Sequence, residues 1–241
     1  MKIWNGKAYV LRRIARLGMA GWNVGGFEKT DSPAVYLVHH QNMFGPVHTL
    51  AFLPEEAHLW ALAPFCEQES CRRQYENYTL TKRFGWPSFL ARPASFLFSL
   101  IVPGVMEAFG AIPVYRGSRE IRKTMEESGK ALRRGESLLI CPDVDYTDRS
   151  PKVGRIYRGF LHLDREYFQE CQAHLSFIPV FCSKQEKRVV FGNAVRFPGK
   201  ESFHQECTFM VNALQAEWNR LGSLCGDLAG KTEDAFSQGL I

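Results

Sequence analysis

Short apolar runs alternate along the chain with longer segments of helical periodicity, and this alternation limits the fold more than any other feature. The apolar runs, interpreted as β-strands, are 34–38, 59–63, 112–115, 137–141, 176–181 and 188–195. The helical patterns are 45–53, about 68–83, about 88–108, 119–134, 158–172 and 203–221. Strands that alternate with helices form a largely parallel sheet covered on both faces. With 241 residues, the chain is long enough for one core. We therefore predict a single-domain α/β fold with a largely parallel central sheet flanked by helices.

The two ends of the chain differ in character from the region between them. Apolar residues recur at helical spacing over 3–17 among several Lys and Arg residues, which is typical of a basic amphipathic helix. Such a helix either packs on the domain with a solvated basic face or lies on a membrane surface. We assign 1–28 to this helix and its connector, 29–229 to the domain and 230–241 to a tail.

Composition limits the kinds of partner that the chain could bind and the cellular compartment in which it could work. A formal net charge of +5 favours anionic partners, such as phosphorylated metabolites, an acidic carrier protein, nucleic acid or an anionic membrane. No recognised motif supports nucleic acid, so we do not expect it as a partner. Seven scattered cysteines without a CxxC pair indicate reduced thiols in a cytosolic setting and no metal site. We expect no signal peptide, and the uncharged stretch 93–106 is too short to span a bilayer, although it could lie on one.

Polar residues follow three of the predicted strands. In an open α/β sheet, the functional crevice lies beyond the carboxyl ends of the strands. The residues delivered there are His39 and His40 after 34–38, Arg116, Gly117, Ser118 and Arg119 after 112–115, and Pro142, Asp143, Val144 and Asp145 after 137–141. We therefore predict that a base, a basic cluster and two carboxylates share one cleft.

Four stretches, taken in order, resemble a known enzyme family. They are "HHQNMFGP" at 39–46, "GAIPVYR" at 110–116, "CPDVDY" at 141–146 and "IPV" at 178–180. In order and spacing they resemble the four blocks of the glycerol-phosphate and lysophospholipid acyltransferases, which include 1-acylglycerol-3-phosphate acyltransferases. The resemblance runs from about residue 30 to residue 195. It implies the acyltransferase fold, with the second block as the phosphate-binding strand.

Two blocks depart from the family pattern. The first block is Asn-His-x-x-x-x-Asp, in which the Asp orients the His. Here His40 matches the His, His39 replaces the Asn, and Gly45 stands where the Asp should be. The third block is usually Phe-Pro-Glu-Gly-Thr-Arg, and here Asp143 stands for the Glu while the Arg is missing. We expect Asp143 or Asp145 to orient His40 from another part of the chain, and we expect Gly45→Asp to restore at least part of the activity that is lost when these carboxylates are replaced.

The resemblance implies transfer of a fatty acyl group from acyl-CoA or acyl-carrier protein to a lysophospholipid or a glycerol-phosphate-like acceptor. His40 would be the general base and Arg116 the phosphate clamp. Weaker acceptor contacts are Gly117, Ser118, Arg119, Lys152 and Arg155. No tightly bound cofactor and no metal are implied, and the enzyme would sit peripherally on the inner face of the membrane. The alternative is an inactive member that binds lipid or acyl donor. Purely structural roles also stay open for individual residues. They are an Asp-rich turn at 143–148, a solvated helix face at Arg119 and a structural ion pair at Arg116.

Overall fold

The computed structural model describes residues 2–228. The helices are α1 Gly6–Gly18, α2 Phe44–Phe52, α3 Gln68–Gln74, α4 Ser88–Ala108, α5 Ile121–Arg133, α6 His162–Cys171 and α7 Phe203–Leu224. The strands are β1 Asn23–Gly25, β2 Ala34–Val38, β3 Ala57–Leu62, β4 Ile112–Val114, β5 Ser137–Ile140, β6 Ser176–Ser183 and β7 Arg188–Phe191. A π-helical segment, Tyr75–Arg83, follows α3, and short 3-10 turns lie at Gln41–Met43, Ala63–Cys66 and Gly159–Leu161.

The predicted α/β class is confirmed, since the strands are mostly parallel and helices flank the sheet. Contacts divide the chain into two compact units. Of the described residues, the first unit comprises 2–11 and 56–139, and the second comprises 12–55 and 140–228. The predicted boundaries at 28 and 229 stay predictions, and the predicted tail 230–241 lies outside the described residues.

In the first unit, β3 pairs in parallel with both of its neighbours. Leu59 aligns with Leu139 of β5, and Trp60 aligns with Ile112 of β4. Along β3 every second residue is buried, the pattern of a strand with one face against a core. Trp4 is also buried in this unit and donates its ring N–H to the carbonyl of Ala57 at 2.9 Å.

In the second unit, the strand order is β1-β7-β6-β2. All five residues of β2 and all eight of β6 are buried, as expected for parallel strands covered on both faces. Their register aligns Val38 with Val180. The strand β7 runs antiparallel to β6 because only residues 184–187 connect them, too few for the crossover that a parallel pair needs.

The helix α1 exposes apolar side chains as well as basic ones, so both readings of it, packed on the domain or lying on a membrane, stay open. Arg16 turns toward α2 and donates to the carbonyl of Ala51 at 2.6 Å. Val10, Ile14 and Leu17 are exposed instead. The free carbonyls at the end of α2 attract the guanidinium, since backbone acceptors beyond the last helical turn have no intrahelical donor. The apolar stripe of α1 is therefore left on the surface.

Candidate active site

The Asp143 carboxylate ties together the residues that follow β2 and β5. One oxygen accepts the ring Nδ1–H of His39, and the other accepts the backbone N–H of His40 at 2.9 Å. Asp143 and His39 are both buried, with 3% and 4% of their surfaces exposed. Asp143 reaches this position because residues 142–144 pair with 155–157, where Val144 donates to the carbonyl of Arg155 at 2.9 Å. A carboxylate from the third sequence block thus serves the histidine pair of the first.

Both ring nitrogens of His39 face hydrogen-bond acceptors. Nδ1 meets the Asp143 carboxylate, and Nε2 lies 3.0 Å from the carbonyl oxygen of Ser150. Burial lowers the pKa of His39, but the hydrogen bond and charge of Asp143, aided by Ser150 and the charge of Asp148, outweigh it and raise the pKa above its usual value. An imidazole that donates from both nitrogens is protonated and has no lone pair. The two acceptors and the raised pKa therefore favour the protonated form of His39.

The ring of His40 is held differently. Its Nδ1 accepts the backbone N–H of Met43 at 3.1 Å and so caps the 3-10 turn at 41–43. A neutral ring that accepts at Nδ1 carries its proton on Nε2. The ring of Tyr146 lies edge-on to it, with centroids 6.0 Å apart. The contact between His40 and Asp143 is made by the backbone N–H of His40. The expectation that Asp143 or Asp145 orients the ring of His40 stays a prediction.

Three consecutive residues after the histidines adopt left-handed backbone conformations. Gln41, Asn42 and Met43 have φ values of 43°, 52° and 78°. Such conformations cost side-chain-bearing residues about 1–3 kcal/mol each and cluster at functional sites. Gln41 is buried, donates to the Ser150 carbonyl at 3.1 Å, and leaves its own Oε1 without a hydrogen-bond partner among the described residues. A buried acceptor of this kind would be satisfied by a donor on a bound molecule.

The close approach of the His39 backbone explains why residue 45 is a glycine. A Cβ at this position would lie 1.8 Å from the carbonyl oxygen of His39 and 3.1 Å from a methyl group of Val38. The Gly45 N–H also donates to the carbonyl of His40 at 3.2 Å, which closes the loop on itself. No side chain fits here without moving the backbone, so the expected restoration by Gly45→Asp is wrong on steric grounds. Asp143 supplies the carboxylate instead.

The loop at 145–154 is organised by its own acidic residues. Asp145 accepts the N–H of Thr147 at 2.8 Å, and Asp148 accepts the N–H of Ser150 at 2.8 Å. These short-range bonds form turns of the kind that Asp favours. Lys152 and Arg155 are exposed on this loop. The Asp-rich turn is thus present, but the third block also contributes Asp143 to the histidine pair.

The basic cluster of the second block belongs to the first unit. Arg116, Gly117 and Arg119 are exposed immediately after β4, and Gly117 has a φ of 70° that suits glycine. The Ser118 hydroxyl accepts the N–H of Glu120 at 2.9 Å, just before α5 begins. Since His40 and Asp143 belong to the second unit, the predicted cleft shared with Arg116 stays a prediction.

Sequence reasoning missed the roles of His39 and Gln41. The replacement of the family's Asn by His39 was one available signal, because a residue beside the base must find its own buried partners. No signal in the sequence distinguished Gln41. Among residues 2–228, no cluster of three or more metal-ligating side chains occurs.

Comparison with solved structures finds a likeness of fold to a known enzyme. The crystal structure of the 1-acyl-sn-glycerophosphate (LPA) acyltransferase PlsC from Thermotoga maritima superposes with a TM-score of 0.51 at 13% identity, covering 90% of this chain and 80% of that one. At this identity the likeness establishes the fold. No family model and no curated protein matches the sequence.

The close contact at Gly45 predicts a strong steric effect. We expect Gly45→Ala to lower the free energy of unfolding by about 3 kcal/mol or more, since the added methyl group must displace the His39 carbonyl. Urea denaturation measures the change. Gly159→Ala is the matched control, because a Cβ there would meet no atom within 4 Å. Equal stability of the two variants would contradict the close approach.

The charge on His39 predicts a pH dependence of stability. Its folded pKa is raised, so its contribution is complete below the unfolded value of about 6.5 and is lost as the pH rises through the folded pKa. His39→Asn keeps an N–H for Asp143 without a titrating charge. We expect the stability difference between wild type and His39→Asn to shrink as the pH rises above about 6.5. Urea denaturation across this range tests it, and a constant difference would show that His39 is neutral.

Proposed function

We propose that this protein transfers a fatty acyl group from a thioester donor to a hydroxyl group of a lysophospholipid or a glycerol-phosphate-like acceptor. The observation that carries the proposal is the buried Asp143 carboxylate at the histidine pair. The likeness of fold to an LPA acyltransferase and the four sequence blocks support the same chemistry. Acyl-CoA or acyl-carrier protein is the proposed donor, with no tightly bound cofactor.

In the proposed reaction, His40 takes the proton of the acceptor hydroxyl. The hydroxyl oxygen forms the new C–O bond to the acyl carbon, and the C–S bond of the thioester breaks. The proton on the imidazolium then passes to the departing thiolate. Asp143 and His39 would be positioning residues, because Asp143 accepts the backbone N–H of His40 and the His39 ring holds Asp143 in place. The side-chain oxygen of Gln41, which has no hydrogen-bond partner among residues 2–228, would accept a hydrogen bond from the bound substrate.

The hydrogen bond between Met43 and His40 adds a step to this proposal. The lone pair of the neutral His40 ring lies on Nδ1, which already accepts the Met43 N–H. To take a proton, the ring must first release this bond, and acceptor binding would supply the free energy. The strained backbone at 41–43 makes this loop the natural place for such a change.

The same hydrogen bond favours a second candidate function, an inactive relative that binds lipid or acyl donor without transferring the acyl group. If the Met43 cap persists with substrate bound, His40 has no lone pair to offer. The two candidates differ in one measurable outcome, which is the formation of acylated product.

The proposed acceptor-binding residues are Arg116, Gly117, Ser118, Arg119 and Lys152. Arg116 is the preferred phosphate clamp, since guanidinium binds two phosphate oxygens at once. Exposed basic groups at the start of α5 add favourable charge for an anionic acceptor.

A lipid acceptor implies work at a membrane surface. We propose peripheral association with the inner face of the membrane, in which the exposed stripe Val10, Ile14 and Leu17 of α1 contributes apolar contact. The exposed Lys7 and Arg13 on the same helix would favour anionic lipid.

The enzymatic proposal predicts a loss of product in defined variants. We expect His40→Ala to abolish transfer and Asp143→Asn to lower turnover by about a hundredfold or more, because the positioning carboxylate is neutralised. The assay uses palmitoyl-CoA with a panel of lysophospholipid and glycerol-phosphate acceptors. Products are detected by mass spectrometry, since seven cysteines would obscure a thiol-release assay.

His204→Ala is the control for that experiment, because His204 is an exposed histidine on α7. It should keep wild-type activity. Full activity in His40→Ala would overturn the base assignment. Transfer too slow to detect in wild type with every acceptor, together with measurable lipid binding, would select the inactive alternative.

The role of α1 is tested by Ile14→Ser combined with Leu17→Ser. Both side chains are exposed, so the fold should survive, whereas deletion of residues 1–18 would also remove the buried Trp4. We expect weaker binding to vesicles that contain phosphatidylglycerol, with binding of the wild type declining as salt is added. Unchanged binding by the double variant would remove α1 from the membrane contact.

A further inference from the structure

The helix α4 exposes a long row of large apolar side chains. It is the one helix of residues 2–228 that is long and apolar enough to cross a membrane. Its buried side chains are all small, namely Ala91, Ser95, Ser99 and Ala108. The exposed apolar residues on and just before α4 are Phe84, Trp86, Phe89, Leu90, Phe96, Leu97, Phe98, Leu100 and Ile101. A core helix of a soluble protein would show the reverse arrangement, with its large side chains inside.

The small-residue face of α4 packs against the first unit. It contacts α3 and the π-helical segment 75–83. The hydroxyls of Ser95 and Ser99 donate to the carbonyls of Arg92 and Phe96 at 2.8 and 2.7 Å, so the buried polar groups are satisfied within the helix. The small-residue face is therefore already packed, whereas the apolar face of α4 is exposed and would be stabilised by a partner that buries it.

The sheet shows that α4 does not span a bilayer in this fold. The strand before the helix, β3, pairs directly with the strand after it, β4, where Leu62 aligns with Val114. A spanning helix would place β3 and β4 on opposite sides of the membrane and break this pairing. The helix must therefore meet lipid from one side, as interfacial helices do.

The charges beside the apolar face indicate which partner covers it. From residue 77 to residue 106 the chain carries three cations, Lys82, Arg83 and Arg92, and no carboxylate, and Arg92 pairs with Glu76 just before this stretch at 3.0 Å. The Arg83 guanidinium lies 5.4 Å from the ring of Phe84, which places a cation beside an apolar ring. Lys82 and Arg83 would attract anionic phospholipid headgroups and would oppose the same residues of a second copy.

We propose that the exposed face of α4 inserts into one leaflet of an anionic phospholipid membrane, with Lys82 and Arg83 at the headgroups and Trp86 near the interface. The aromatic and cationic residues precede the apolar row, which is the order found at membrane–water boundaries. This inference deepens the proposed function, since it names the surface that meets the lipid. It rests on the proposed function only for the reason why the protein would bind a membrane.

The test compares two pairs of substitutions with the same chemistry. The first is Phe89→Ser with Leu97→Ser on α4, whose side chains are 73% and 57% exposed. The control is Phe209→Ser with Leu224→Ser on α7, at 51% and 71%. Both pairs remove one exposed Phe and one exposed Leu, and circular dichroism with thermal melting checks that each variant folds.

Binding of the full chain is measured by co-sedimentation with vesicles of phosphatidylcholine and phosphatidylglycerol. We expect the α4 pair to lower the partition coefficient at least about tenfold and the α7 pair to leave it near the wild-type value. Brominated lipid should quench Trp86 fluorescence, with the Trp86→Phe variant giving the contribution of the other tryptophans. Equal binding by both pairs, or no quenching assignable to Trp86, would overturn the proposal.

A second copy of the chain is the competing occupant. Sedimentation without lipid would then reveal a dimer that the α4 pair dissociates while vesicle binding stays unchanged, and this result would also overturn the proposal. Vesicle binding needs no acyl donor. The membrane surface and the acyl transfer can therefore succeed or fail separately.

Discussion

The contacts of one buried carboxylate hold the candidate site together. Asp143 accepts the ring proton of His39 and the backbone N–H of His40, and so joins the end of β2 to residues that follow β5. A buried carboxylate is tolerated only when it is paired and hydrogen-bonded. His39 meets that need as a cation, and its other nitrogen in turn holds the Ser150 carbonyl of the loop at 145–154. Removing either partner would leave a buried charge without compensation.

This arrangement accounts for the missing carboxylate of the first block. In the family pattern the Asp lies five residues after the His, but here the loop between them turns back so tightly that only glycine fits at position 45. The three left-handed residues at 41–43 are part of that turn. The Asp143 carboxylate, which follows β5 in the sequence, accepts the backbone N–H of His40. The ring Nδ1 of His40 accepts the Met43 N–H.

Much of the fold was predictable because several of its strands are short apolar runs, with β2 and β6 buried along their whole length. The run at 34–38 and the helix at 88–108 match the structure residue for residue, since each is bounded by residues that break the pattern. The strand β1 was missed because three residues carry too little periodicity, and 188–195 was drawn too long because Gly192 leaves the ladder with β6. The site was harder. Asp143 was expected near the histidines. Which of the two histidine rings meets Asp143 depends on the path of the backbone after Val38, and sequence spacing does not encode that path.

The central claim is that His39 is a protonated positioning residue, whereas His40 is neutral and accepts at Nδ1. NMR of the protein with ¹⁵N-labelled histidine rings measures this directly, with His39→Asn and His40→Ala assigning the signals. Near neutral pH, the account predicts that both His39 nitrogens carry protons and titrate above the usual pKa, while His40 shows a proton on Nε2 alone. A neutral His39 ring, or a His40 ring protonated on Nδ1, would contradict it.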